Sequence, residues 1–358
     1  MNNIQSSIPQ KIESYSSYMN GITVMPDFFV DRIIRVKSKE EFFDKLSEKS
    51  RFGGGSIRDI STVDMKGGNA TNIAYCLAKL GMKTSLFTIA DDIGSSILNH
   101  VFSKFDKNKI NLRITKGRHG HTTAFEFMTD KSSNSKVNVM VSDAGENVDF
   151  GPDRITSEED LSILKNSDGV MVVNWGSNLK GSQLAEYVFK NSPKSLHFID
   201  PADIESRKSD FLSTVKEISK FTDVLSINEN ECNSLSSAIG FTPLIPPYEN
   251  YTENHIRNAA KILAEETGIS VDLHTRKGAA WSNGNEIVFV HPIKVEPKIL
   301  TGAGDSWDAG DIVGYLAGLE PKERLLFSNA CASLYIRNTD GEPPSFDQVA
   351  DLLDRITM

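Results

Sequence analysis

Apolar segments and stretches of helical periodicity alternate regularly through the second half of this chain. Four segments have the composition of strands, and helical spacing fills the intervals between them: DGVMVVNW (168–175), SLHFID (195–200), DVLSIN (223–228) and GISVDLH (268–274). Parallel strands need a crossover connection, and a helix is the usual one. The order therefore predicts an α/β fold with a doubly wound, mostly parallel sheet flanked by helices.

The first half of the chain predicts additional elements. Residues 1–20 are polar and rich in Ser, Asn and Tyr, which we interpret as a loose or helical N-terminal extension, and 21–29 is a candidate first strand. Residues 121–150 alternate between polar and apolar side chains around the polar turn KSSN, which is a hairpin pattern. We expect strands from about 50–66 and 121–150 to form a small β-sheet lid on one large domain, 21–358.

The composition narrows the class of partner. The 358 residues carry a net charge of −9, with a pI near 5.4. Nucleic-acid-binding proteins usually present basic surfaces, so nucleic acid is not an expected partner. The three cysteines form no CxxC pair, which argues against a disulfide framework or a zinc site. No apolar stretch reaches the roughly 18 residues of a membrane span, and no signal-peptide pattern is present, so we expect a cytoplasmic protein without membrane contact.

The most informative segment is TGAGDSWDAGDIVGYLAGL, residues 301–319. Gly302 and Gly304 allow the backbone to approach a ligand closely. The helix that follows begins with free N–H groups and a positive dipole end, which bind phosphates. An aspartate at 305 would repel a phosphate, but it suits a general base that takes the proton of a hydroxyl attacking a γ-phosphate. The plain alternative is a glycine-rich helix start that Asp305 only caps.

GAGD at 302–305 resembles the signature of the ribokinase-like (PfkB) carbohydrate kinase family. GGNATNIAYCLAKLG (67–81) is similar to the family's N-terminal GG-x-x-x-N-x-A-x-x-LA-x-LG pattern, and NENE (228–231) resembles its N-x-x-E motif. The resemblance covers roughly residues 21–355. It implies a ribokinase-like fold and a kinase that uses ATP and Mg²⁺ to phosphorylate a hydroxyl of a small sugar or nucleoside. It also implies a homodimer that pairs through the lid.

The resemblance implies a catalytic or metal-binding role for six residues at matching motif positions. Asp305 would be the base. The backbone N–H groups of the preceding turn would stabilise the transferred phosphoryl group; these belong to Gly302, Ala303 and Gly304. Asn228 and Glu231 would organise Mg²⁺ and its water ligands, because hard cations prefer oxygen ligands.

Further residues would bind the two substrates. On the acceptor side, the resemblance implies that sugar hydroxyls are bound by Asp31, Gly68 and Asn72. On the nucleotide side, it implies contacts from Asn228, Glu231, Thr275, Gly278 and Asn329. Each polar side chain also has a plain interpretation. Asp31 would be a surface acid, Asn72 and Asn228 helix caps, and Glu231 a solvated helix acid.

The sequence departs from the family pattern near the nucleotide. Ile299 and Leu300 stand where the family usually has Asp-Thr, which weakens any prediction of activation by a monovalent cation. The nucleotide-side turn keeps only Gly278, with Thr275 in the place of the first glycine. Arg276 and Lys277 in this turn would contact phosphates or remain solvated.

Two functional alternatives stay open. One is a non-catalytic regulatory protein that binds a sugar or nucleotide on the same fold, and the other is a kinase for a pyrimidine- or vitamin-type alcohol. Other enzyme classes lack their motifs: there is no Walker A loop, no GxGxxG after the first strand and no GxSxG elbow.

Overall fold

The structure, a computed structural model, describes residues 4–128, 136–247 and 250–356. Nine of the described strands form the main sheet: β1 (Ile22–Met25), β4 (Thr84–Ala90), β5 (Ile110–Lys116), β8 (Gly169–Val173), β9 (Leu196–Asp200), β10 (Val224–Ile227), β11 (Ser270–Thr275), β12 (Gly278–Ser282) and β13 (Ile287–Val290). Their order is β13-β12-β11-β10-β9-β8-β1-β4-β5. Pairing is parallel from β5 to β11, and β12 and β13 are antiparallel at one edge. The predicted doubly wound, mostly parallel sheet is confirmed.

Helices cover both faces of this sheet. They are α3 (Asn69–Lys79), α4 (Asp92–Phe102), α5 (Glu158–Asn166), α6 (Gly181–Asn191), α7 (Lys208–Ile218), α8 (Glu229–Ile239), α9 (Glu253–Thr267), α10 (Ala303–Leu316), α11 (Pro321–Arg337) and α12 (Phe346–Ile356). Successive residues of β8 point to opposite faces of the sheet. Met171 and Val173 lie in one core layer, and Val170 and Val172 lie in the other. A strand buried on both faces is a continuous apolar run, which is why the sequence shows these strands clearly.

The four-stranded second sheet is the lid. Its order is β3-β2-β6-β7, with β2 (Phe29–Val36), β3 (Ser61–Gly67), β6 (Gly120–Met128) and β7 (Lys136–Asp143). Helix α2 (Lys39–Arg51) lies against one face, where the Phe42 ring centroid is 5.9 Å from that of Phe125.

Two predicted strands were wrong in their bounds, the first strand and the first lid strand. The candidate strand 21–29 is divided into β1 and the start of β2, because the chain leaves the main sheet at Pro26 and Asp27, and Asp27 instead binds the start of α3. Residues 50–60 are the end of α2 and an irregular segment, not a strand. The predicted hairpin turn KSSN lies outside the described residues.

The N-terminal segment forms a packed helix, α1 (Ile4–Tyr18). Ile8 and Ile12 are completely buried in the core beside α10, α11 and α12. Lys11 Nζ lies 2.6 Å from Glu323 Oε2 of α11. Of the two interpretations of residues 1–20, the helical one agrees with the described residues. No helix within those residues combines the length and apolar character that crossing a membrane requires.

Candidate active site

A cavity of about 540 Å³ lies between the lid and the carboxyl ends of the central strands. Asp31 and Thr122 of the lid line one side, and Asp200 at the end of β9 lines another. Asp305 of α10 closes it from below. Ligands of doubly wound sheets bind at this edge because the loops after the strands converge there. The position therefore marks a candidate active site.

Gly302 and Gly304 at the start of α10 place the turn of the backbone next to Asp305 at the cavity. Gly302 is the N-cap residue, with φ +87°, and a Cβ there would overlap the Tyr335 hydroxyl. Asp305 follows in the first turn of the helix. The Ala303 N–H donates to Leu300 O at 3.1 Å, closing the turn. The positive end of the helix dipole faces the cavity, where it can stabilise an anionic group.

Two amides hold the Asp305 carboxylate. Asn69 Nδ2 donates to Oδ1 and Asn72 Nδ2 donates to Oδ2, each at 2.9 Å. Burial raises the pKa of Asp305 to about 7, opposed by the Asn72 hydrogen bond and assisted by the charge of Asp200. A carboxylate with such a pKa is suited to proton transfer near neutral pH. Asn72 lies inside α3, whose N-cap residue is Gly68, so its interpretation as a helix cap is wrong.

The side of the cavity that the sequence predicts to bind the acceptor contains Asp31 on β2. Burial raises its pKa to about 6, and a hydrogen bond with the Thr122 side chain opposes the shift. It lines the cavity with Gly68 and is not the exposed surface acid of the plain interpretation. Gly68 has φ +91°, and a Cβ there would lie 3.0 Å from Asp27 O. The structure therefore brings Asp31, Gly68 and Asn72 together at one cavity, and their role in binding an acceptor stays a prediction.

Asp27 was missed by the sequence interpretation. Its buried carboxylate accepts from the N–H groups of Asn69 (3.0 Å) and Ala70 (2.8 Å) and from Asn174 Nδ2 (2.9 Å). It thereby binds the free N–H groups at the start of α3, which a helix N-terminus leaves unsatisfied. The signal available in the sequence was the glycine at N-cap 68, which has no side chain to cap its own helix.

Asn228 and Glu231 form a reciprocal capping box at the start of α8. Asn228 N donates to Glu231 Oε2 at 2.8 Å, and Asn228 Nδ2 donates to Oε1 at 2.7 Å. Both residues also line the cavity. Glu231 is buried, which excludes the solvated-acid interpretation, and burial together with the charge of Asp200 raises its pKa. The capping interpretation of Asn228 agrees with the structure, because its Oδ1 accepts from the N–H groups of Asn230 (2.8 Å) and Glu231 (3.2 Å).

Three residues expected on the nucleotide side make internal contacts. Thr275 Oγ1 donates to Gly278 O at 2.8 Å, closing the turn between β11 and β12. Asn329 is held by Trp307 Nε1 (2.9 Å) and by its own Nδ2 bond to His291 O (3.1 Å). The residue of this region that does line the cavity is His274, which sequence reasoning missed. Burial lowers its pKa to about 4, so its ring is neutral near pH 7.

The charged residues of the turn are also engaged. The Arg276 N–H donates to Glu229 Oε1 at 3.0 Å, and Lys277 Nζ donates to Tyr251 O at 3.1 Å. The Lys277 ammonium lies 5.0 Å from the centroid of the Tyr251 ring. The backbone of Arg276 and the side chain of Lys277 therefore have partners within the protein.

Comparison with known proteins places this geometry in a family. A family model described as pfkB family carbohydrate kinase matches residues 37–346. The chain is 22% identical over 311 residues to a ribokinase of Bacillus subtilis (strain 168), covering 86% of this chain and 94% of the relative.

Solved structures share the fold. A ribokinase of Arabidopsis thaliana complexed with ribose and ATP matches with a TM-score of 0.71 and 20% identity, covering 94% of this chain and 99% of that one. An adenosine kinase of Sinorhizobium meliloti matches with a TM-score of 0.68 and 17% identity, covering 94% and 99%. These similarities in structure support the ribokinase-like fold; the family assignment rests on the sequence match.

Proposed function

The chain belongs to the pfkB family of carbohydrate kinases and is an ATP-dependent kinase, and from that premise we propose that it phosphorylates a hydroxyl of a small sugar with Asp305 as the general base. The observation that carries this proposal is the Asp305 carboxylate, which lies on the cavity at the start of α10 and is held by Asn69 and Asn72 at 2.9 Å. The acceptor hydroxyl would lose its proton to this carboxylate as its oxygen attacks the γ-phosphorus of ATP.

The proposed acceptor is uncharged. The described residues that line the cavity include six carboxylic acids and no lysine or arginine: Asp27, Asp31, Asp200, Asp203, Glu231 and Asp305. A phosphorylated sugar would bring a second negative group toward these acids without a cation to receive it. Carboxylates and amides at fixed positions suit hydroxyl groups, which both donate and accept hydrogen bonds. A neutral sugar is therefore favoured, with a nucleoside as the other outcome of the screen.

Mg²⁺ fits the opposite end of the cavity. Asp200, Asp203 and Glu231 line it with Asn228; burial and the charge of Asp200 raise the pKa of Glu231, and a cation would favour its ionised form. No group of three residues arranged as direct metal ligands occurs among residues 4–128, 136–247 and 250–356. The site therefore suits an ion that keeps most of its waters and is shared with ATP phosphates. Bound there, the ion would neutralise charge on the transferred group, while Asn228 and Glu231 orient its waters.

The proposal also includes the domain bounds of the chain and the closure of the lid. We assign 21–358 to one kinase domain, with 1–20 as an N-terminal extension whose helix α1 packs on it, and expect the lid to close over the acceptor and exclude water. Val139 and Val141 of β7 are exposed, which supports pairing of two lids in a homodimer. Light scattering coupled to size exclusion tests this, and a monomer at micromolar concentration would contradict it.

A cytoplasmic site of action is also proposed. All three cysteines, Cys76, Cys232 and Cys331, are buried as free thiols. Burial raises the pKa of each thiol, which keeps it protonated and unreactive. Such thiols suit a reducing compartment that also supplies ATP.

Turnover of ATP with a panel of neutral sugars, sugar phosphates and nucleosides tests the function. The wild-type protein should phosphorylate a neutral sugar, and Asp305→Asn should lower kcat by roughly 10²–10⁴-fold. The matched control, Asp347→Asn, removes an exposed acid of α12 and should leave kcat unchanged. Thermal shifts with the same ligands distinguish a binding protein, which would bind a sugar without any ATP-dependent product and would overturn the proposal.

A further inference from the structure

A lysine lies directly behind the proposed base. Lys66, on the lid strand β3, donates through Nζ to Asn72 Oδ1 at 3.0 Å. The same amide donates through Nδ2 to Asp305 Oδ2 at 2.9 Å. An amide whose oxygen accepts from an ammonium group must present its NH₂ to the opposite side. The three side chains thus form a directed series from cation to amide to carboxylate.

Lys66 is partly buried. Its ammonium lies 4.3 Å from the centroid of the Tyr75 ring on α3. The nearby titratable groups that act on it come from four elements: Cys76 of α3, Asp305 of α10, Asp31 of β2 and Glu342 in the segment after α11. Burial lowers the pKa of Lys66, and each of these groups opposes that shift. Glu342 is already paired with Lys79 (3.0 Å) and Lys104 (2.9 Å), which leaves Lys66 free to act on Asn72 and Asp305.

Asp305, at the other end of this series, also has charged and polar neighbours. Asp200 of β9 and Asp27 after β1 raise the pKa of Asp305, as burial does. Asn72 and Lys66 lower it. Tyr335 of α11 also faces the carboxylate, and its hydroxyl donates to Thr301 O at 2.8 Å. Lys66 is the cation that opposes the two acidic neighbours among the groups acting on Asp305.

We propose that Lys66 is a positioning residue for catalysis: it fixes the Asn72 amide and favours the ionised form of the Asp305 carboxylate. This inference rests on the proposed function of Asp305. It adds a role for a side chain that does not line the cavity and does not touch the reacting atoms. Without the ammonium, the amide could rotate, and the charged groups acting on the base would be the acids Asp200 and Asp27.

The pH dependence of kcat tests the inference. Lys66→Met keeps the length of the side chain and removes its charge. It should move the acid limb of the kcat profile upward by roughly one pH unit, because loss of a nearby cation raises the pKa of a carboxyl group. Lys66→Arg, which restores the charge and a donor, should return the limb toward the wild-type position. The control is Lys45→Met, which removes a half-exposed lysine paired with Glu41 on α2 and should leave the limb in place.

A double-mutant cycle separates this role from a structural one. If Lys66 acts through Asn72, Asn72→Ala combined with Lys66→Met should shift the limb by less than the sum of the two single changes. A lower kcat with an unmoved limb and no rescue by arginine would overturn the inference, as would an unchanged profile. Failure of the proposed function itself gives a different result, namely no phosphorylated product from the wild-type protein with any acceptor.

Discussion

Asn69 Nδ2 donates to Asp305 Oδ1 at 2.9 Å, joining the first residue of α3 to the first turn of α10. The two residues are 236 positions apart in the chain. This contact fixes the second oxygen of the proposed base, since Asn72 already holds the first. Helix α3 therefore determines the orientation of the carboxylate, and helix α10 determines its position.

Asn69→Ala should lower kcat and move its acid limb to higher pH. The amide donates to the ionised carboxylate, so its removal raises the pKa of Asp305 and requires a higher pH for the base to be active. A fall of roughly 10-fold in kcat at pH 7 is expected, equivalent to about 1.4 kcal/mol. Stopped assays from pH 5.5 to 9 measure it. Asn99→Ala, which removes an exposed amide on α4, is the control, and equal profiles for both variants would contradict the prediction.

Asp305→Asn should stabilise the folded protein at pH 8 but not at pH 4. The folded-state pKa is about 7 against a usual value of 3.8, so the folded state holds a proton that the unfolded state has lost between these values. Stability therefore falls as pH rises through that window, and the loss is complete above pH 7. The free energy of unfolding of the variant, relative to that of the wild-type, should therefore rise by about 2–4 kcal/mol from pH 4 to pH 8.

Urea denaturation at the two pH values measures this difference. Asp347→Asn should show none, because its carboxylate is exposed on α12. A gain for Asp305→Asn that is the same at both pH values would mean that the carboxyl group titrates normally in the folded protein.

Burial explains how much of the fold the sequence could predict. Strands β8 to β11 are covered on both faces and appear as apolar runs, whereas β5 and β2 were missed. Strand β5 is at the sheet edge, where Arg113 pairs with Asp160 at 2.8 Å. Strand β2 carries Arg32, which forms an exposed pair with Asp64 of β3. Edge and lid strands can carry charged side chains that form ion pairs at the surface, so their sequences lack the apolar pattern of a core strand.

The site was predictable where it lies within a contiguous motif. The patterns at 67–81 and 302–305 pointed to Asn72 and Asp305, which meet in the cavity; their roles stay predictions. Asn69 lies in the same motif at a position the pattern leaves free, so its contact with Asp305 could only come from the packing of α3 on α10. Asp27 and His274 follow strands as single residues, with no spacing that distinguishes them from loop side chains.

Gly302→Ala should inactivate the enzyme at modest cost in stability. Its φ of +87° disfavours any Cβ, which costs on the order of 1–2 kcal/mol, and the new methyl group would also displace the Tyr335 hydroxyl at the start of α10. Gly318→Ala is a matched control, because its φ is +66° but its Cβ would meet nothing within 4 Å. Both variants should lose stability in thermal denaturation, Gly302→Ala more because of the Tyr335 contact, and only Gly302→Ala should lose kcat. Equal kcat values would show that the geometry of this turn is not required.

Arg324 neutralises two buried acids beneath the site. Its Nη2 lies 3.0 Å from Asp272 Oδ1, its Nη1 contacts Asp311 Oδ1, and all three side chains are completely buried. The Tyr315 hydroxyl donates to the other Asp272 oxygen at 2.8 Å. This network joins α10 and α11 to β11, so it supports the helix that carries Asp305 without contacting the cavity.

Arg324→Met should lower the free energy of unfolding by roughly 3–5 kcal/mol at pH 7.5, because it leaves two carboxylates buried without a cation. Burial raises the pKa of Asp311, so protonation should reduce this deficit at pH 5. Adding Asp311→Asn to the arginine variant removes one uncompensated charge and should recover part of the loss at pH 7.5. Lys190→Met, which breaks an exposed pair with Glu186, is the control and should leave the urea midpoint unchanged. A deficit that does not vary with pH, and no recovery in the double variant, would show that packing rather than charge makes Arg324 important.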